Sequence, residues 1–227
     1  MFLCLLSKNV FSYRPLEFTT PLGIKKRGVC SNWLKDQNEQ AIISLRASTF
    51  RLPSNRRTPL VMLAAGTGIA PIKSFIEERL FSIQSGKYHF SEFGPALLIF
   101  CANTRDEIFY PGLFEEAVEY GALTDVRVLL ADQRFSSGKP QFINGLLDGD
   151  SGEVIISKEK GSAPLARSHV YDLFQQNASV YMCGGFAFGR SATSGFKQLL
   201  TELSHSNGED IISEMVKNKR YHEDLAE

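Results

Sequence analysis

From Leu60 onward, short apolar runs alternate with stretches in which apolar residues recur at helical spacing. Short apolar runs between turn signals are typical of strands in a parallel sheet, and helical spacing is typical of amphipathic helices. The predicted strands are Leu60–Ala64, Ala96–Cys101, Val126–Leu130 and Val180–Cys183. The predicted helices are Ile72–Leu80, Leu113–Tyr120, Phe142–Leu147, Val170–Phe174 and Ser191–Leu203. This alternation predicts an α/β domain over residues 60–227, with helices covering both faces of a parallel sheet.

The first 50 residues lack this alternation. They contain the β-leaning runs Phe2–Leu6 and Ile42–Leu45, interrupted by prolines and glycines, and show no helical period, which predicts a small all-β domain over residues 1–50. Residues 51–59 are polar and bounded by proline, which predicts a linker.

Two later segments complete the predicted organisation. Asp148–Ala166 is rich in Gly, Ser and Lys and is expected to leave the core as a surface excursion. Asp210–Arg220 is a polar tail that favours a helix.

Charge and cysteine content narrow the possible functions. Lys plus Arg and Asp plus Glu both number 25, so the chain shows no basic surplus for nucleic acid or an anionic membrane. The apolar start, Met1–Leu6, is too short to cross a bilayer and lacks the features of a signal peptide, so we expect no transmembrane segment. The scattered cysteines favour neither a disulfide framework nor a zinc site and suit a reducing cytoplasm. The four histidines show no ligand spacing, and we expect no metal.

The candidate chemistry centres on Ala65-Gly66-Thr67-Gly68-Ile69-Ala70-Pro71, between a predicted strand and a predicted helix. Glycines at such a junction permit a tight turn and close backbone approach, and the helix N-terminus offers unpaired N–H groups to phosphate. Gly66, Thr67 and Gly68 are therefore candidate nucleotide-binding residues. Taken alone, the motif fits a simple glycine turn equally well.

Several further blocks occur in the order and spacing found in the reductase part of the diflavin reductases. The glycine turn and the later Phe75-Ile76-Glu77-Glu78-Arg79 resemble that family's G-x-G-T-G-[IV]-A-P and F-[LI]-x-[ER]-R elements. The remaining blocks are Gly28-Val29-Cys30-Ser31-Asn32-Trp33-Leu34, Phe100-Cys101-Ala102-Asn103-Thr104, Ile108-Phe109-Tyr110, Val180-Tyr181-Met182-Cys183-Gly184-Gly185 and Arg220-Tyr221 with Asp224. The chain thus resembles the ferredoxin-reductase-type module of NADPH–cytochrome P450 reductase-like proteins.

This resemblance implies a function and roles for individual residues. It implies hydride transfer between NADP or NAD and FAD, with electrons passed to a haem or iron–sulfur protein. Cys183 would lie near the nicotinamide and Asp224 near the reaction centre, although a cysteine at a sheet edge is also often simply buried packing. The FAD-contact candidates that it implies are Gly28, Val29, Cys30 and Ser31.

The chain departs from the family pattern at several ligand positions. Asp132 stands where relatives hold the NADP 2′-phosphate with arginine, and a carboxylate repels phosphate but accepts hydrogen bonds from a free ribose hydroxyl. NADH use is therefore one expectation, while Arg134 and Lys139 offer positive charge nearby. The other departures are Ala102 for arginine, Ala131 for serine, Phe142 for tyrosine, Gly185 for aspartate and Ala226 for the flavin-stacking tryptophan.

The N-terminal elements of the family have no counterpart in this sequence. The R-x-Y-S strand that grips FAD in the family does not precede residue 28, and no flavodoxin-like domain is present, so FMN is expected only if a further domain exists upstream. We expect either an N-terminally truncated reductase or a degenerate relative. The first hypothesis is an NAD(P)H-dependent flavoprotein oxidoreductase. The alternative is a non-catalytic nucleotide-binding or protein-interaction module derived from one.

Overall fold

The computed structural model describes residues 15–36, 48–147, 154–156 and 167–226. The chain divides into two compact units, Met1–Thr49 and Phe50–Glu227. None of the helices in the described ranges has both the length and the apolar character needed to cross a membrane.

The first unit contains a small hairpin and a helix. Strand β1 (Glu17–Thr19) pairs antiparallel with β2 (Lys25–Arg27), and helix α1 follows at Val29–Asp36. The buried Asn32 fastens α1 to the hairpin, because its Nδ2 donates to the carbonyls of Leu16 and Gly28 at 3.0 and 2.9 Å. The prediction of an all-β segment was wrong at α1, whose eight residues are too few to show a helical period. The predicted runs Phe2–Leu6 and Ile42–Leu45 lie outside the described residues.

The second unit is built on a six-stranded sheet. Its strands are β3 (Leu60–Ala65), β4 (Ala96–Ala102), β5 (Asp125–Leu130), β6 (Val154–Ile156), β7 (Ser179–Gly185) and β8 (Tyr221–Ala226). The strand order is β6-β5-β4-β3-β7-β8, and all neighbours are parallel except the edge strand β6. The four predicted strands are confirmed, each extended by one to three residues in the structure.

Helices cover both faces of this sheet. They are α2 (Ile69–Gln84), α3 (Pro111–Glu119), α4 (Ile143–Leu147), α5 (Arg167–Gln175), α6 (Phe186–Ser204) and α7 (Gly208–Lys217). Apolar residues of α2 and α3 form one buried cluster with one face of the sheet, and those of α4 to α7 form a second with the other face. The predicted α/β fold with a parallel sheet is confirmed.

Two segments of the second unit were expected to be peripheral. Residues 51–59 contact its body, since the Tyr181 hydroxyl donates to the Arg51 carbonyl at 2.7 Å and the Gly94 N–H donates to the Arg56 carbonyl at 2.9 Å. Their role as a linker stays a prediction. Within the predicted excursion the structure describes only β6, which adds an antiparallel edge strand to the sheet.

Candidate functional site

The order of the strands creates a crevice at one edge of the sheet. From β3 the chain builds β4 and β5 on one side and then returns to place β7 and β8 on the other. Connections therefore leave the carboxyl ends of β3 and β7 in opposite directions. Such a reversal leaves an opening between the two strand ends, where open α/β sheets bind their ligands.

The glycine turn forms the β3 side of this crevice. Gly66, Thr67 and Gly68 make a single 3₁₀ turn that leads directly into α2. Gly66 has φ +54°, a left-handed conformation that glycine adopts without the steric cost of a side chain. A Cβ on Gly68 would lie 2.2 Å from the Cys183 carbonyl oxygen, so this residue has no room for a side chain. The close approach that Gly68 permits is thus to the backbone of β7.

Two helix N-termini begin at the crevice. Helix α2 starts after Gly68 on one face of the sheet, and α6 starts after Gly185 on the other. Neither N-cap residue supplies a side-chain hydrogen bond in the described part of the chain. The first N–H groups of α6 have no partners within that helix, which makes this edge suited to an anion, whereas in α2 the Ile69 N–H donates to the carbonyls of Gly66 and Thr67 and Pro71 has no N–H.

Cys183 and Asp224 lie on the β7 side of the crevice. They are register partners on the parallel strands β7 and β8, so their side chains project from the same face of the sheet. Cys183 is 9% exposed, and Asp224 is exposed. Burial, and to a smaller extent the charge of Asp224, raises the pKa of the Cys183 thiol to about 11. The thiol is therefore neutral at physiological pH.

The predicted nucleotide-selecting residues lie in the loop after β5. Asp132 continues the pairing of β5 with β4, since its N–H donates to the Asn103 carbonyl at 3.0 Å, and its side chain is exposed. Arg134 and Lys139 are also exposed, and Arg134 Nη1 donates to the Gly138 carbonyl at 3.1 Å. The buried Gln141 anchors this loop by accepting a hydrogen bond from Leu130 N–H at 3.0 Å.

The predicted FAD contacts belong to the first unit. Val29 and Cys30 are exposed in the first turn of α1, directly after Gly28. The Ser31 hydroxyl accepts a hydrogen bond from Leu16 N–H at 2.9 Å, so its oxygen is already engaged. The structure thus brings these four residues together at one end of α1.

Several residues at the carboxyl edge were not predicted as site residues. Asn103 follows β4 directly and is exposed, with its Nδ2 donating to Glu107 Oε2 at 2.6 Å. Gly184 lies so close to β3 that a Cβ would be 3.0 Å from the Ala65 Cβ. Position immediately after a predicted strand is the sequence signal that marks both, because parallel strands end at a common edge.

Comparison with known proteins agrees with this geometry. The oxidoreductase NAD-binding domain family matches residues 62–194, more than half of the chain. The chain belongs to this family. This oxidoreductase NAD-binding domain includes the glycine turn and β7 within the matched range.

Proteins with similar sequences include reductases. The chain is 29% identical to NADPH–cytochrome P450 reductase of Homo sapiens over 92% of its own length and 30% of that protein. It is 32% identical to NADPH–cytochrome P450 reductase of Drosophila melanogaster over 64% of its length and 22% of that protein. It is 28% identical to inducible nitric oxide synthase of Cavia porcellus over 97% of its length and 18% of that protein. The chain therefore spans less than a third of these relatives, and the resemblance seen in the motifs is confirmed.

Proposed function

We propose that this chain is the nicotinamide-nucleotide-binding part of an NAD(P)H-dependent flavin oxidoreductase. The observation that carries the proposal is the crevice between β3 and β7, where the glycine turn, two helix N-termini and the Cys183–Asp224 pair meet. The activities for which its relatives are named, NADPH–cytochrome P450 reductase and nitric oxide synthase, support the same reaction class.

The residues of the crevice fit a pyrophosphate. The uncapped first turn of α6 offers N–H donors, and both helix dipoles place partial positive charge there. Gly66 and Thr67 present the turn that leads into α2, and Gly68 lets this turn pack against β7. These three residues would therefore hold the phosphate portion of the nucleotide.

Cys183 and Asp224 would lie beside the nicotinamide end of the nucleotide. The bound dinucleotide supplies the hydride, and the protein supplies position and electrostatics. Cys183 presents a small neutral thiol, because burial keeps it protonated. The neighbouring exposed carboxylate of Asp224 stabilises positive charge on the same face of the sheet. These two residues would thus orient the nicotinamide ring, and the Asp224 carboxylate would favour positive charge on it.

Nucleotide choice would depend on the loop after β5. The exposed Asp132 carboxylate disfavours a 2′-phosphate, whereas the exposed cations Arg134 and Lys139 favour it. We propose that the chain discriminates weakly between NADPH and NADH.

FAD would be held in part by the first turn of α1. Val29 and Cys30 are exposed there next to Gly28, and the Ser31 hydroxyl retains its proton for donation because its oxygen is the acceptor in the bond to Leu16. FMN would need a further domain. We propose a haem or iron–sulfur protein as the electron acceptor.

The alternative is a non-catalytic module that keeps the nucleotide-binding scaffold. Gly185 and Ala226 favour it, because these exposed register partners at the ends of β7 and β8 stand, by the resemblance of the sequence motifs, where the family has aspartate and tryptophan. Ala226 offers no ring to stack on a flavin, so this contact is absent.

Calorimetric titration of the full chain with NADPH, NADH and FAD separates these two functions. The oxidoreductase predicts nucleotide binding together with FAD-dependent reduction of ferricyanide. Nucleotide binding without turnover at saturating FAD would support the non-catalytic module. Failure of both nucleotides to bind would overturn both functions.

A further inference from the structure

A second cavity lies at the opposite edge of the sheet from the crevice. It has a volume of about 310 Å³ and is lined by residues before and at the start of β3, by the C-terminal half of α2 and by the segment that follows α2. Leu60, the first residue of β3, belongs to its wall. The glycine turn lies at the other end of the same strand, so the cavity is a separate site.

Arg79 is the buried charge of this cavity. It lines the cavity while only 3% of its surface is exposed. Its Nε donates to the Ala122 carbonyl and its Nη2 to the Gly94 carbonyl, both at 2.8 Å. No carboxylate of the described chain pairs with it, and no described residue accepts a hydrogen bond from Nη1. Burial lowers the pKa of Arg79 to about 10, in keeping with a cation that lacks a counterion.

Two exposed cations stand around the same cavity. The Arg56 guanidinium lies 3.7 Å from the centre of the Tyr88 ring, and Lys87 Nζ lies 5.2 Å from it. Arg56 is paired with Glu92 at 3.3 Å, and Glu78 is the carboxylate in the lining itself. The lining itself therefore holds three cations and one carboxylate, and Glu92 outside it offsets the charge of Arg56.

The rest of the wall combines apolar and aromatic side chains with the hydroxyl groups of Ser54, Thr58 and Ser82. Leu52 and Pro53 contribute aliphatic surface, and the Phe93 ring lies 4.8 Å from the Arg79 guanidinium. A pocket that joins apolar surface with converging polar groups is suited to a small molecule. An anion at Arg79 would use its unpaired N–H groups and supply the missing countercharge.

We propose that this cavity binds a small organic monoanion, namely a carboxylate on an apolar or aromatic body. The carboxylate would meet the planar donor fork of Arg79, with Lys87 and Arg56 adding attraction from the exposed side. The body would lie against Leu52 and Phe93. One carboxylate supplies the single countercharge that the buried Arg79 lacks.

Titration of the isotope-labelled full chain with sodium benzoate, followed by amide NMR, tests this proposal. We expect saturable shifts in residues 87–94 and in the second half of α2. The exposed variants Arg56→Ala and Lys87→Ala should weaken benzoate binding together by about tenfold, the effect of losing charge-assisted contacts. Lys217→Ala, which removes an exposed lysine from α7, should leave the affinity unchanged.

Removal of the buried Arg79 and competition by other anions test the proposal further. Arg79→Gln should abolish benzoate binding. This variant also removes a buried, hydrogen-bonded side chain, so its thermal unfolding is measured in parallel. The Arg56→Ala and Lys87→Ala variants therefore decide whether the cavity binds benzoate. Absence of saturable benzoate shifts in the wild-type chain would overturn the proposal. An affinity for benzoate in the Arg56→Ala and Lys87→Ala variants equal to that of the wild-type chain would also overturn the proposal. Inorganic phosphate or AMP binding the cavity more tightly than benzoate would overturn the choice of a carboxylate. NADPH is predicted to bind at the crevice, at the other end of the strands. The outcome of the benzoate titration therefore does not depend on whether NADPH binds.

Discussion

Cys183 and Asp224 are direct register partners on the neighbouring parallel strands β7 and β8. The thiol and the carboxylate therefore project side by side at the carboxyl edge of the sheet, next to the turn that begins α2. Burial and the nearby negative charge both disfavour the thiolate. This pair is thus set up as a neutral thiol beside a charged carboxylate.

Asp224→Asn should lower the pKa of Cys183 but leave it above its ordinary value, because burial is the larger cause of the shift. The pH dependence of iodoacetamide labelling of Cys183, read by mass spectrometry, measures this change. Glu223→Gln alters the preceding residue on β8, whose side chain projects from the opposite face, and should have little effect. An equal change in both variants would show that the effect does not depend on this pair.

Gly68→Ala should destabilise the protein by about 1–3 kcal/mol, because the added Cβ overlaps the Cys183 carbonyl and the backbone has to move. Gly112→Ala is the matched control, since a Cβ there meets nothing within 4 Å. In helix α3 this control should be neutral or stabilising by up to about 1 kcal/mol. Urea unfolding measures both. Equal stability of Gly68→Ala and wild type would contradict the tight packing of the turn on β7.

Asp132→Arg should raise the affinity for NADPH relative to NADH by about tenfold, because it replaces repulsion of a 2′-phosphate with a charge-assisted contact. Calorimetry with both nucleotides gives the ratio. Glu119→Arg makes the same charge change at an exposed position on α3 and controls for net charge. An unchanged ratio in Asp132→Arg would place the ribose away from this loop.

The free energy of unfolding of this protein should fall as the pH rises above about 9. Burial raises the pKa of the Cys101 thiol to about 12. The pKa of the Cys183 thiol is raised to about 11, and burial is the larger of its two causes. The unfolded chain therefore releases these protons first, and the stabilisation present below the unfolded value is lost as pH approaches the folded values.

Urea unfolding as a function of pH measures this loss. Each buried thiol contributes a slope of up to about 1.4 kcal/mol per pH unit within its window. Removing the Cys101 thiol in Cys101→Ala should make the alkaline slope shallower than in wild type. The same slope in both proteins would show that Cys101 does not titrate with the predicted shift.

The strands at the centre of the sheet were predictable because they are buried on both faces. Val61, Ile99 and Val180 lie in continuous apolar runs, and such runs require no knowledge of neighbours to be recognised. The glycine turn was predictable for a related reason. It joins a strand to a helix, and its left-handed backbone conformation favours glycine at residue 66.

Other features depend on contacts that are distant in sequence. Strand β8 has a mostly polar sequence and becomes a strand through its pairing with β7 at the edge of the sheet. Arg79 reads as one polar residue of an amphipathic helix, yet its acceptors are carbonyls 15 and 43 residues away. The predicted roles of Asp132, Arg134, Lys139 and residues 28–31 rest on resemblance and stay predictions.

Hydrogen exchange of the full chain with and without NADPH tests the central claim most directly. The proposed site predicts slower exchange on NADPH addition at the backbone amides of residues 66–70 and 185–189, the first turns of α2 and α6 with their preceding glycines. Saturating NADPH that leaves both segments unprotected, or that protects only residues elsewhere, would contradict nucleotide binding at the crevice between β3 and β7.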